Sequence, residues 1–101
     1  MISKLALGTV QFGLNYGVTN KNGQVTIGEV RNILDFAKNN GIDTLDTAAS
    51  YGNSEKILGE IGIHDCQIIT KTTSFKDGTN EVINNFYQSL KKLNVERVEG
   101  L

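Results

Sequence analysis

The chain has 101 residues, of which 39% are hydrophobic and 21% charged, and a formal net charge of −1. That length fits one ordinary domain, and the near-neutral balance offers no basic surface to nucleic acid. No apolar run approaches the ~20 residues that span a bilayer. The opening MISKLALGTVQFG lacks the apolar core and cleavage site of a signal peptide, and the single cysteine, Cys66, excludes an internal disulfide, so a cytoplasmic protein is expected.

Strand-like and helix-like segments alternate along the chain. Lys4–Val10 carries Leu5, Leu7 and Val10 and reads as a first strand, followed by a Gly- and Asn-rich loop. Thr26 and Glu29 have the spacing of a capping box. Val30, Ile33, Leu34 and Ala37 then form the stripe of an amphipathic helix, which Asn39-Asn40-Gly41 stops. Ile42–Asp46 reads as the second strand. Asn53 caps a short helix with Glu55 in its first turn, running to about Glu60. Cys66–Lys71 reads as the third strand, and Thr79 and Glu81 open a third helix. Its expected buried stripe is Val82, Phe86, Leu90 and Leu93, with Ile83 beside them. Val98–Leu101 looks like the opening of a fourth strand. Strands separated by helices imply a parallel sheet. This pattern leaves two α/β architectures open, a doubly wound sheet and a (β/α)8 barrel.

Three residues carry the chemistry. Asp46 and Lys71 close two successive strands, which lie about 4.8 Å apart when paired, at the sheet end where such folds bind ligands. Tyr51 follows five residues after Asp46, in the loop over the same end. A free phenol, with a pKa near 10, is a poor acid at neutral pH, and a close ammonium favours the phenolate. With Asp46 keeping Lys71 charged and oriented, Tyr51 suits the role of general acid toward a carbonyl oxygen. The hydride must come from a cofactor. Each residue alone has a plainer reading: Tyr-Gly as a turn, Asp46 as a cap, Lys71 as a solvated strand end. His64 precedes the third strand, at the opposite end of the sheet, and makes no ligand set with Cys66. Cys66, Phe36, Phe86 and Tyr87 read as packing residues, and Tyr16 as a residue that lines or covers a pocket.

The words LGTVQFG, GIDTLDTAASYGNSEKILGE and IITKT, in this order, resemble the aldo-keto reductase family. The resemblance runs through essentially the whole chain and covers the first third or so of a family member. It implies the amino-terminal portion of a (β/α)8 TIM barrel, about three and a half βα units, with residues 1–101 forming one incomplete domain. The activity it implies is reduction of an aldehyde or ketone with NADPH, or less often NADH. By the same resemblance Tyr51 is the proton donor, Lys71 its partner, and Asp46 the residue pairing with that lysine. Gly8, Thr9 and Val10 resemble the strand end near the nicotinamide and its ribose, where Asp46 also lies, and Gln11 sits at the same edge.

The resemblance further implies a histidine beyond Leu101, and a pyrophosphate and 2′-phosphate grip in the second half of the barrel. The expectation is therefore three members of a four-residue site, inactive alone. Parity places Ile42, Thr44 and Asp46 on one sheet face, and likewise Gln67, Ile69 and Lys71. That face is the barrel interior, and left uncovered it drives self-association or pairing with a complementary fragment. The alternative reading is a non-catalytic half-barrel module acting in assembly or regulation.

Overall fold

Leu7, Leu45 and Ile68 sit one per strand, and a parallel register brings them side by side. The computed structural model describes residues 4–73, 76 and 78–101. Strand β1 (Leu7–Gly8) pairs with β2 (Thr44–Asp46), and β2 with β3 (Gln67–Ile69), both parallel. Leu7 lies opposite Leu45, and Leu45 opposite Ile68. The backbone ladder outlasts the strands, because Thr47 N–H donates to Ile69 O and Ala49 N–H to Lys71 O. The predicted fourth strand appears as one parallel bridge, Ile69 to Gly100.

Among the described residues four α-helices accompany the sheet: α1 (Val10–Gly13), α2 (Ile27–Asn39), α3 (Ser54–Ile61) and α4 (Thr79–Leu93). The α2 start is as expected, with Thr26 Oγ1 accepting the Glu29 N–H at 3.3 Å. Its end closes through Asn40, whose side chain donates to Phe36 O. Asn94 ends α4 in the left-handed conformation, φ 57°, with Lys91 and Lys92 in the last turn where the helix dipole favours cations.

The core lies on one face of the sheet. Leu45 and Ile68 are buried there with Phe12, Val30, Ile57, Leu58, Ile63 and Leu93. Burial of such side chains contributes about 1.5–3 kcal/mol each. The other face carries Thr44, Asp46, Gln67 and Ile69, and Ile69 is 36% exposed. The parity expectation holds: one face is finished by helices and the other is open.

Several expectations need correction. The first strand stops at Gly8, and Val10 belongs to α1 instead. Thr9 turns the chain, its N–H donating to Asp46 O and its carbonyl accepting from Phe12 N–H, and this drops Phe12 into the core. The second and third strands are shorter than Ile42–Asp46 and Cys66–Lys71. Asn53 makes no side-chain cap, because its Oδ1 accepts from Gln24 Nε2 instead. On α4 the buried residues are Ser89 and Leu93, while Val82, Phe86 and Leu90 are half-buried and Ile83 is exposed. Phe36 and Tyr87 are not packing residues, being 70% and 63% exposed. Phe36 lies off the Val30–Ala37 stripe of α2, and Tyr87 lies across α4 from Ser89. Cys66 is half-buried, and burial pushes its thiol pKa up.

Candidate active site

The carboxyl ends of the three strands converge on one small surface. Gly8 lies opposite Asp46, and Asp46 opposite Ile69, so Lys71, two residues beyond Ile69, returns to the Asp46 face. Lys71 Nζ forms an ion pair with Asp46 Oδ1 and donates to the carbonyl of Thr47 at 3.0 Å. It also lies 5.3 Å from the centroid of the Tyr51 ring. Acid, amine and phenol thus meet as their positions in the sequence predict. Burial pulls the Lys71 pKa down, but the hydrogen bond and charge of Asp46, with Tyr51 adding to them, outweigh it and raise it. Both members of the ion pair are close to half exposed, so the cluster faces a space that a ligand can enter.

Backbone bonds place the turn that bears Tyr51. Its N–H donates to Ala48 O, and its carbonyl accepts from Ser54 N–H at 3.0 Å. The α1 backbone rests directly on this turn. A Cβ on Gly13 would sit 1.7 Å from Tyr51 O, and one on Gly52 would sit 2.2 Å from Gly13 O. Gly52 also has φ 56°, a conformation glycine adopts without penalty. The two glycines therefore let the turn bearing Tyr51 lie flush against the end of α1.

A polar layer lies beneath the cluster. Thr9, Thr47 and Ser54 are all buried and joined through their hydroxyls. Beside them Glu55, only 2% exposed, accepts from Thr70 Oγ1 at 2.8 Å and Ser89 Oγ at 3.0 Å. Sequence reasoning missed this layer, reading Glu55 as a first-turn acid suited to the helix dipole. A signal was present: Ser54 and Glu55 stand four and three residues before Leu58, which is fully buried, so both fall on the buried face of α3.

At the proposed cofactor edge, Gly8 is exposed and nothing lies within 4 Å of where its Cβ would be. That leaves room for a flat ring or a ribose beside the half-exposed Asp46 carboxylate. Thr9 faces inward, with its hydroxyl donating to Asp46 O, and Val10 is half-buried in α1. Gln11 is tied to its own loop, Nε2 donating to Tyr16 O. Tyr16 is 58% exposed. Cavities of about 660 Å³ and 370 Å³ lie elsewhere. His64 and Cys66 line the larger, at the amino end of the sheet, and neither cavity includes the triad. Among the described residues no group of three or more His, Cys, Asp or Glu could hold a metal, and no helix is long and apolar enough to cross a membrane.

The profile of the Aldo/keto reductase family matches residues 4–101. The chain belongs to the aldo/keto reductase family. Among solved structures, a Pseudomonas aeruginosa protein described as an aldo-keto reductase is 32% identical with a TM-score of 0.85, covering 99% of this chain and 42% of its own. The Bombyx mori aldo-keto reductase, solved in complex with NADP, is 28% identical with a TM-score of 0.68, covering 93% of this chain and 31% of its own. A protein described as a 2,5-diketo-D-gluconic acid reductase B is 27% identical with a TM-score of 0.67. A comparison with curated proteins found no match. The sheet is thus part of an aldo-keto reductase (β/α)8 barrel, which resolves the choice between the two α/β architectures. The chain spans less than half the length of these relatives.

Proposed function

We propose that this aldo-keto reductase chain supplies the proton-donating half of an NADPH- or NADH-dependent carbonyl reductase site. The observation that carries the reading is Lys71 Nζ, paired with Asp46 while standing 5.3 Å from the Tyr51 ring centroid. A nicotinamide cofactor, when bound, supplies the hydride that reaches the carbonyl carbon. Tyr51 Oη gives its proton to the carbonyl oxygen as negative charge develops there. The ammonium of Lys71 then stabilises the phenolate left behind. Asp46 holds that ammonium in place, and the Thr47 carbonyl gives it a second anchor.

Gly8 and Asp46 are proposed to face the nicotinamide ribose, with Thr9 and Val10 shaping that edge through the backbone. The NADP complex of the Bombyx mori relative supports this cofactor class. The substrate class is a small aldehyde or ketone, and the proposed location is the cytoplasm. The deciding experiment follows NADPH oxidation with a panel of aldehydes and ketones, in a complete barrel that contains these residues. Tyr51→Phe is expected to abolish reduction while cofactor binding, measured by fluorescence, persists. Substantial residual turnover in that variant would remove Tyr51 as the donor.

The open inner face favours a second reading. Ile69 and the Asp46–Lys71 pair are exposed on it, as suits a half-barrel that closes against a second copy or a complementary fragment. Light scattering tests this reading directly, since a clean monomer with native-like amide protection in β3 would count against it.

A further inference from the structure

Ser54 opens α3 with its side chain fully buried, and its N–H donates to Tyr51 O. Its Oγ lies 3.0 Å from Thr47 Oγ1, 3.1 Å from Thr9 Oγ1 and 3.2 Å from Thr9 O. Thr9 Oγ1 in turn donates to Asp46 O at 3.0 Å. Each hydroxyl has one proton to give. Thr9 commits its proton to Asp46 O, so toward Ser54 its Oγ1 accepts. Either hydroxyl of the Thr47–Ser54 pair can be the donor, and in the arrangement where Ser54 gives its proton to Thr9, at Oγ1 or at the carbonyl, Thr47 donates to Ser54. The run Thr47 to Ser54 to Thr9 to Asp46 O is complete, with no unpaired buried polar side-chain atom among the described residues.

Both ends of this run belong to the residues that hold Lys71. At one end, the carbonyl of Thr47 accepts from Lys71 Nζ at 3.0 Å. At the other, the backbone oxygen being fixed is that of Asp46, whose carboxylate forms the ion pair. Hydrogen-bonded chains in a low-dielectric interior reinforce one another, and one missing member leaves its neighbours unsatisfied.

We infer that Ser54 is a positioning residue, whose buried hydroxyl locks Thr9, Thr47 and Asp46 into the arrangement that holds Lys71 against Tyr51. Its consequence for catalysis rests on the reductase reading above, whereas its effect on Lys71 does not. Without Ser54 Oγ, Thr47 Oγ1 has lost its acceptor and Thr9 Oγ1 its donor. The Thr47 carbonyl and the Asp46 backbone then shift to find new partners, and Lys71 loses its two-point attachment.

The test reads Lys71 itself. Proton exchange of Lys71 Nζ with water is followed by lysine-selective 15N NMR near neutral pH, without substrate or cofactor. Ser54→Ala is expected to speed that exchange about fivefold, the factor set by one net hydrogen bond. Thr47→Val, which deletes the neighbouring hydroxyl at constant shape, is expected to do the same, while Thr47→Ser, which keeps it, leaves exchange at the wild-type rate. A purely structural role would lower the unfolding midpoint and leave native-state exchange of Lys71 unchanged. A folded Ser54→Ala protein with wild-type exchange overturns the inference. If Ser54→Ala does not fold, unchanged exchange in Thr47→Val overturns it instead. If a complete barrel containing these residues reduces no carbonyl, the reductase reading is lost, and the exchange result still decides the place of Ser54.

Discussion

Two lysine–aspartate pairs tie neighbouring elements together at opposite ends of the sheet. Lys38 reaches Asp65 at the amino end, and Lys71 reaches Asp46 at the carboxyl end. Residue types are identical, and neither pair is sequestered from water. The difference lies in what else each lysine touches. Lys38 is held chiefly by the hydrogen bond and charge of Asp65, which raise its pKa. For Lys71 desolvation ranks first among the causes acting on its pKa, and the residue adds a second bond to the Thr47 carbonyl and a phenol within cation–π reach. Exposed pairs contribute little to stability, and that holds for both. An ion pair acquires chemical use when its cation has a second task, and only Lys71 has one here.

Removing each lysine breaks this comparison most sharply. On the reductase reading, Lys71→Met is expected to cut carbonyl turnover by about 10²–10⁴-fold, the range of one general acid–base contribution. Lys38→Met in the same assay should leave turnover at the wild-type level, and equal losses from the two would show that the carboxyl-end pair has no special role.

A smaller effect separates pairing from burial. Among the described residues Glu55 pairs with no cation and accepts from the hydroxyls of Thr70 and Ser89, and so joins the end of β3, α3 and α4 from inside. Glu55→Ala is expected to destabilise the fold by about 3 kcal/mol, through lost hydrogen bonds and stranded hydroxyls. Urea unfolding would measure it, and a loss no greater than that of Lys38→Met would place Glu55 among the surface charges.

The smallest effects come from pH. The folded-state pKa of Lys71 is raised, so its contribution is full below the ordinary lysine value of about 10.4 and fades as pH rises through the folded value. Asp65 is lowered, first by its hydrogen bond from Lys38. Its contribution is therefore full above the ordinary carboxylate value of about 3.9 and fades as pH falls through the folded value. Urea midpoints across both windows should show only slight drifts, the acid one shrinking in Lys38→Met and the alkaline one in Lys71→Met.

The triad was legible because Asp46 and Lys71 close apolar strand words and Tyr51 stands in the loop after the first of them, so chain order alone placed all three at one sheet end. The helix stripe at Val30 and Ala37 and the Thr26 cap were legible because they are local. Val10 was not, since its helical turn depends on Thr9 bonding to Asp46, a contact 37 residues away in sequence. Phe36 and Tyr87 look like core by residue type, but helical phase turns both toward solvent. The hydroxyl run was the least legible feature, for it joins Thr9 to Ser54 across 45 residues, and serine and threonine carry no periodic signature.

The bare contact between Gly13 and the Tyr51–Gly52 turn has a practical consequence for engineering. Across the intervening loop, Gln24 Nε2 donates to Phe12 O and to Asn53 Oδ1, while Asn20 braces the loop through its bonds to Tyr16 O, Gly23 O and the N–H groups of Asn22 and Gly23. Both stems of the loop are thus soldered to the segment bearing Tyr51, and its middle is held mainly by itself. Sequence within residues 15–23 should therefore exchange with least disturbance to the Tyr51 turn, provided Gly13, Gln24 and Gly52 are kept.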